Sequence, residues 1–345
     1  MRSSHNRHRQ TSLLAYSMCD ADQFSVLIKQ EDKGLVRAPC PGNYHNMVDC
    51  HCEDIQLFID EARGLDFSNK RVTSSSPLIT NAIPVIPKDW FDRPPETIHS
   101  NIIGIRLGDI LNRRPYRNSA KTLLLSDDVL VDLSVLKRPV FRGKKVVLFA
   151  TGIDVVIEKV WHRRLTMDLF QAIATGNFYA VTGMNFSLFL HECPLGHLIN
   201  LNKSLVFCEE LSKLGVPVIP HVYAITDTHR EMWIKWLQNH PNIKTVLINT
   251  QMQRDNASVH EVELTVEKLA AETDVNIILN GRQPKQLLNT TRERVVISHQ
   301  FNLKNQAIVE NALVRQYEEA AKLMEQPRLQ RATPKLRSPA PYLTL

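Results

Sequence analysis

The chain has 345 residues, 43% hydrophobic and 23% charged, the balance of an ordinary globular protein with a sizeable core. Lys and Arg outnumber Asp and Glu by 42 to 36, a formal net charge of +6, which is too small an excess to mark the whole chain as a polycation. No apolar run reaches the roughly 18 residues of a membrane span, Ser12 to Met18 is too short for a signal peptide, and six cysteines are too few for a disulfide scaffold, so the expectation is a cytoplasmic protein with reduced thiols and no membrane partner.

Residues 1–76 show little periodicity and read as an N-terminal extension, partly irregular, with a helix-like stretch from Ile55 to Ala62. Cys40, Cys50 and Cys52, with His45 and His51 nearby, concentrate metal-capable side chains, and Cys19 would complete four ligands. A structural zinc ion or an iron–sulfur cluster there would give the extension folding energy that its small core lacks. Against this, Cys-x-Cys is not the usual zinc-knuckle spacing, and buried free thiols also serve as small apolar residues.

Eight short runs rich in β-branched and apolar residues follow: Ile83–Ile86, Ile102–Leu107, Lys145–Ala150, Phe178–Thr182, Val216–Val222, Lys244–Asn249, Val275–Asn280 and Val295–His299. The last six alternate with amphipathic segments. Thr228 with Glu231 and Ser258 with Glu261 fit capping boxes, and Gly176 and Gly215 sit where helices should stop. Trp233, Trp236 and Leu237 share one helical face, and Trp161 should anchor its own helix to the strands. His229 and His240, around the Trp233 helix, need only surface or capping roles; Cys208, in a helical pattern, and Cys193 read as core or incidental.

Successive βα units dictate a mostly parallel sheet with right-handed crossovers, either closed or open. A count of eight, with no G-x-G-x-x-G or G-x-x-x-x-G-K-[ST] after any strand, favours an α/β fold with a parallel (β/α) barrel of TIM type over residues 77–326. That range includes a C-terminal helix from about Asn305 to Gln326. Residues 327–345, with Pro327, Pro334, Pro339 and Pro341, read as a disordered basic tail.

In a barrel of this type the loops after the strands converge on one face and carry the site. The residues there are Thr151 and Asp154; Asn185 and Ser187; His221 and Tyr223; Asn249, Gln251 and Arg254; Asn280 and Arg282; Ser298 and His299. His221 or His299 would transfer a proton near neutral pH with Asp154 as the orienting carboxylate. Asn185, Ser187, Tyr223, Asn249, Gln251 and Asn280 would read the donor and acceptor edges of a ligand, and Arg254 or Arg282 would clamp an anion. No paired carboxylates suit a glycosidase, and no H-E-x-x-H motif is present.

The residues from Val146 to about Asn249 also resemble a bacterial domain family of unknown function common on phages, plasmids and other mobile elements. The resemblance rests on Gly152-Ile153-Asp154, Glu158 and Trp161, Asn185-Phe186-Ser187-Leu188-Phe189, and Gly215-Val216-Pro217-Val218-Ile219-Pro220-His221. Asn185 stands where that family has Asp, and His221 where it has Asn. The resemblance implies the barrel and supplies no activity.

The leading expectation is therefore a barrel that binds a nucleotide-like or phosphorylated polar ligand at the strand C-terminal face and has the residues to act on it. The alternative is a non-enzymatic nucleic-acid-binding or interaction protein of a mobile genetic element. Its contacts would be made by basic tails and by the basic loops Arg113 to Lys121 and Lys137 to Lys145.

Overall fold

A computed structural model describes residues 52–300 apart from 81–82, 99, 113–115, 118–122, 125–129, 153, 189–193, 251–255 and 282–294. Cys19, Cys40 and Cys50, the helix expected over 305–326 and the tail lie outside the described residues. Eight strands form one parallel sheet: β1 (Ile83–Val85), β2 (Ile102–Arg106), β3 (Lys145–Phe149), β4 (Ala180–Thr182), β5 (Val218–Ile219), β6 (Thr245–Thr250), β7 (Asn276–Gly281) and β8 (Val295–Gln300). Their order across the sheet is β6-β7-β8-β1-β2-β3-β4-β5, so strands consecutive in the chain lie side by side except β5 and β6, which end the order, and β8 returns to β1.

Each apolar run read from the sequence is a strand. The run over 216–222 shortens to Val218–Ile219 because Pro217 and Pro220 have no N–H to give to a ladder. Beyond it, His221 pairs in parallel with Leu247 of β6: Val222 N–H donates to the Leu247 carbonyl and Leu247 N–H to the Pro220 carbonyl, both at 2.8 Å.

Alternate residues of the strands build one core from Ile83, Val85, Val147, Phe149, Ala180, Ile219, Leu247 and Ile278, joined by Ile79 from the preceding segment. Gly104 of β2 makes room for it, since a Cβ there would lie 2.6 Å from the Phe149 ring. The helices are α1 (Cys52–Glu61), α2 (Asp154–Arg163), α3 (Leu169–Thr175), α4 (Pro194–Lys213), α5 (Asp227–Gln238) and α6 (Asn256–Glu272). None of the described helices is long and apolar enough to cross a membrane.

Two caps differ from the sequence reading. Thr226, not Thr228, caps α5: its Oγ1 accepts from His229 N–H at 3.2 Å, which leaves Asp227 in the first turn where the helix dipole favours an anion. α6 begins at Asn256, so Ser258 lies inside it. Gly215 does follow the end of α4 with φ of +77°, a conformation open to glycine at no steric cost.

α4 is buried on nearly every side, including Asn200, Asn202, Lys203 and Ser204. The reason is the segment after α1, which crosses its outer side. Arg63 pairs with Glu209 at 2.7 Å, Asn202 Nδ2 donates to the Leu65 carbonyl at 3.1 Å, and Ser212 Oγ accepts from Thr73 N–H at 3.2 Å. The same segment then runs past the starts of β6 and β7. Asn242 Nδ2 donates to the carbonyls of Val72 and Ser74, Thr245 N–H donates to Ser76 Oγ, and Asn276 Nδ2 donates to the Ile79 carbonyl.

Candidate functional site at the strand C-terminal ends

Asn249, Asn280 and Ser298 stand in register on the neighbouring strands β6, β7 and β8. They are an even number of residues beyond Leu247 and Ile278, so they share the core-facing side and continue it toward the strand C-termini. Asn280 and Ser298 are fully buried, and Ser298 Oγ donates to Asn280 Oδ1 at 2.8 Å. Asn280 Nδ2, by contrast, has no partner among the described residues.

Two more buried polar atoms in the same condition end other strands. Thr151 Oγ1, just after β3, and His221 Nε2, just after β5, are buried and unpartnered. Burial lowers the His221 pKa to about 4, and the contact with the Met184 backbone offsets only part of this, so the ring is neutral at ordinary pH. With its other nitrogen turned to that backbone, Nε2 is the acceptor. An unmet donor on Asn280, an unmet acceptor on His221 and a hydroxyl on Thr151 that can act either way therefore lie at the same ends of three strands. The remaining unpartnered buried atoms are spread over Ser74, α4, α5 and His240.

Other residues expected in a site are occupied by the fold. Asn185 Oδ1 accepts from Gly152 N–H at 2.8 Å while its Nδ2 donates to the Gly152 carbonyl at 3.3 Å, so both halves of the amide tie the end of β4 to the end of β3. An aspartate could accept there but could not donate to the carbonyl, which gives the asparagine a structural use at this position. Ser187 offers its carbonyl to Asn200 Nδ2 at 2.9 Å. The Tyr223 carbonyl accepts from Trp233 Nε1 at 3.2 Å, and its ring lies 6.2 Å from that of His221. Asp154 opens α2 and His299 lies on β8, but their side chains are outside the described residues, as is that of Cys52 at the start of α1. Gln251, Arg254 and Arg282 are outside them altogether.

Some polar residues near these ends had not been singled out. Thr182, fully buried on β4, accepts from Ala150 N–H through Oγ1 at 2.8 Å. Arg106 closes β2 and is held by Asp109 through Nε at 2.7 Å and Nη2 at 3.2 Å; a charged residue ending the apolar run IIGIR is the signal that marks it. His197 in the first turn of α4 and His229 in the first turn of α5 meet edge to face at 5.3 Å. The expectation of surface roles for His229 and His240 is corrected: both are buried, because His229 packs on His197 and His240 stacks on Trp236 with 4.0 Å between ring centres. Trp161 and Cys208 are core residues as read, both fully buried, and burial pushes the Cys208 thiol up to about 12.

In comparisons with known proteins, no protein-family model and no curated protein matches the chain.

Proposed function

We propose that the chain is a TIM-type (β/α) barrel that binds a small polar ligand, nucleotide-like or phosphorylated, at the C-terminal ends of its strands. Closure is supported by the His221–Leu247 bridge, which joins the two end strands β5 and β6 of an eight-strand parallel order. The observation that carries the binding reading is the set of three buried, unpartnered polar atoms on Thr151, His221 and Asn280. Leaving such a group unmet costs about 1–3 kcal/mol, and a ligand edge offering both an acceptor and a donor would recover it. Neutral His221 then receives a hydrogen bond from the ligand; with a pKa of about 4 it does not serve as an acid near neutral pH.

The test is a thermal-shift screen of nucleosides, nucleotides and sugar phosphates, followed by calorimetry on each hit with Thr151→Val, His221→Gln and Asn280→Leu. Each substitution is expected to weaken binding by about tenfold or more, the cost of about one buried hydrogen bond. Thr151→Val should leave the unliganded melting temperature unchanged or raised, since it removes an unmet hydroxyl while keeping the shape. No stabilising ligand, or full affinity in all three variants, would refute the reading.

A further inference from the structure

A cavity lies at the opposite ends of the strands from those polar groups. Its volume is about 680 Å³, within the usual range for small-ligand sites, and it opens where β3, β4 and β5 begin. Lys145, the first residue of β3, and Lys144 before it line one side, and no carboxylate is among the lining residues. Phe141, Phe178, Tyr179 and Pro217 supply an apolar wall. Lys145 is exposed, makes no ion pair among the described residues, and lies with its ammonium 4.8 Å from the centre of the Tyr179 ring. Lys144 is fixed by donating to the Ile98 carbonyl at 2.6 Å. Exposed Lys137, Arg138 and Arg142 continue the positive charge along the connection into β3, with Arg138 paired to Asp92 at 2.9 Å.

We propose that this cavity is a binding site for a phosphate group carried on a flat apolar body, the chemistry of a nucleotide, either free or within a single strand. The two lysines, with no carboxylate among the residues that line the cavity with them, select an anion. The aromatic and proline wall beside it selects something more than an inorganic ion, since bases and aromatic side chains stack with little regard to sequence. The proposal is independent of the ligand at the C-terminal ends, because the two sets of residues sit at opposite ends of the strands.

The experiment measures binding of a short fluorescent oligothymidylate to the full chain by anisotropy over a salt series, with thymidine monophosphate and inorganic phosphate as competitors. Lys145→Glu and Tyr179→Ala are expected to weaken binding by about tenfold or more, and Lys145→Gln to lower the magnitude of the log–log salt slope by about one. Lys235→Glu, exposed on α5, makes the same charge reversal elsewhere and should leave affinity nearly unchanged. Competition by the mononucleotide identifies a free-nucleotide site, and its failure against a binding oligomer identifies a strand site. Each variant is melted alongside, and Lys145→Gln keeps the test readable if charge reversal impairs folding. No binding of any probe, equal losses from Lys145→Glu and Lys235→Glu, or competition by inorganic phosphate as strong as by the mononucleotide would overturn the proposal.

Discussion

The buried histidines make stability depend on acid. Burial holds His229 at about 4, with His197 and Arg230 pushing it down further, and burial holds His221 at about 4 as well. An unfolded histidine titrates near 6.5, so between about 6.5 and about 4 the unfolded chain takes up protons that the folded chain refuses. Stability is therefore expected to be full above this window, to fall as pH drops through it, and to level off below. The upper bound is about 1.4 kcal/mol per pH unit for each histidine. Carboxylates act lower on the scale: Asp66 and Asp132 are held down by hydrogen bonds from Ser68 and Ser134, and their stabilisation is lost only as pH falls below the ordinary carboxylate range. Thermal melts between pH 7 and pH 4.5 should show the decline, and His229→Gln should make it shallower; an unaltered decline would assign it to other groups.

Among the elements, α2 and α4 are joined by a charge pair taken out of water. Lys203 Nζ meets Glu158 at 2.7 Å, with no exposure of the Lys203 side chain, and lies 4.1 Å from the centre of the Phe186 ring. Burial lowers the ammonium pKa to about 8 against the pull of Glu158, so the pair holds α4 in place at a cost in desolvation. Trp161 covers the same junction, donating through Nε1 to Glu61 of α1 at 3.1 Å and meeting the Phe186 ring edge to face at 5.4 Å. Lys203→Met is expected to destabilise by about 3–5 kcal/mol because it strands the Glu158 charge, and adding Glu158→Leu should return most of that loss. Urea unfolding of the single and double variants measures both. At the start of α5, Thr226→Ala should cost about 1 kcal/mol through the lost cap. Both Glu158 and Trp161 are conspicuous in the sequence, but only the packing joins them to Lys203 and Glu61.

On the scale of the whole molecule, the proposed closure makes a prediction about backbone protection. If β5 and β6 are neighbours, the amides of Val222 and Leu247 are shielded like those inside the sheet, since each donates to the facing strand at 2.8 Å. Hydrogen exchange should find them as slow as the amides between β6 and β7, whereas the rapid exchange of open edge strands would argue against a barrel. Ile79 tests the other end. It is fully buried in the strand core although it comes from the segment before β1, and Ile79→Ala should cost about 2–5 kcal/mol in equilibrium unfolding.

The strand positions, the helix stop at Gly215 and the apolar face of Trp233 and Trp236 were all legible in the sequence. Parallel strands buried on both faces must read as unbroken apolar runs, and helices between them must alternate on a period of about 3.6. Asn249 and Asn280 were legible as strand ends for the same reason. The use of each polar atom was not, because it is set by neighbours distant in the chain. Asn185 is taken up by Gly152, His229 is enclosed by His197, and the lysines at the start of β3 share a cavity with Tyr179 and with Ser75 from the segment before β1. The sequence by itself determined where strands and helices form, since that depends on local periodicity and turn chemistry. Only the tertiary structure decided which polar groups are left without partners and which cations line a cavity, since burial and hydrogen bonding are properties of contacts that the chain makes with itself at long range.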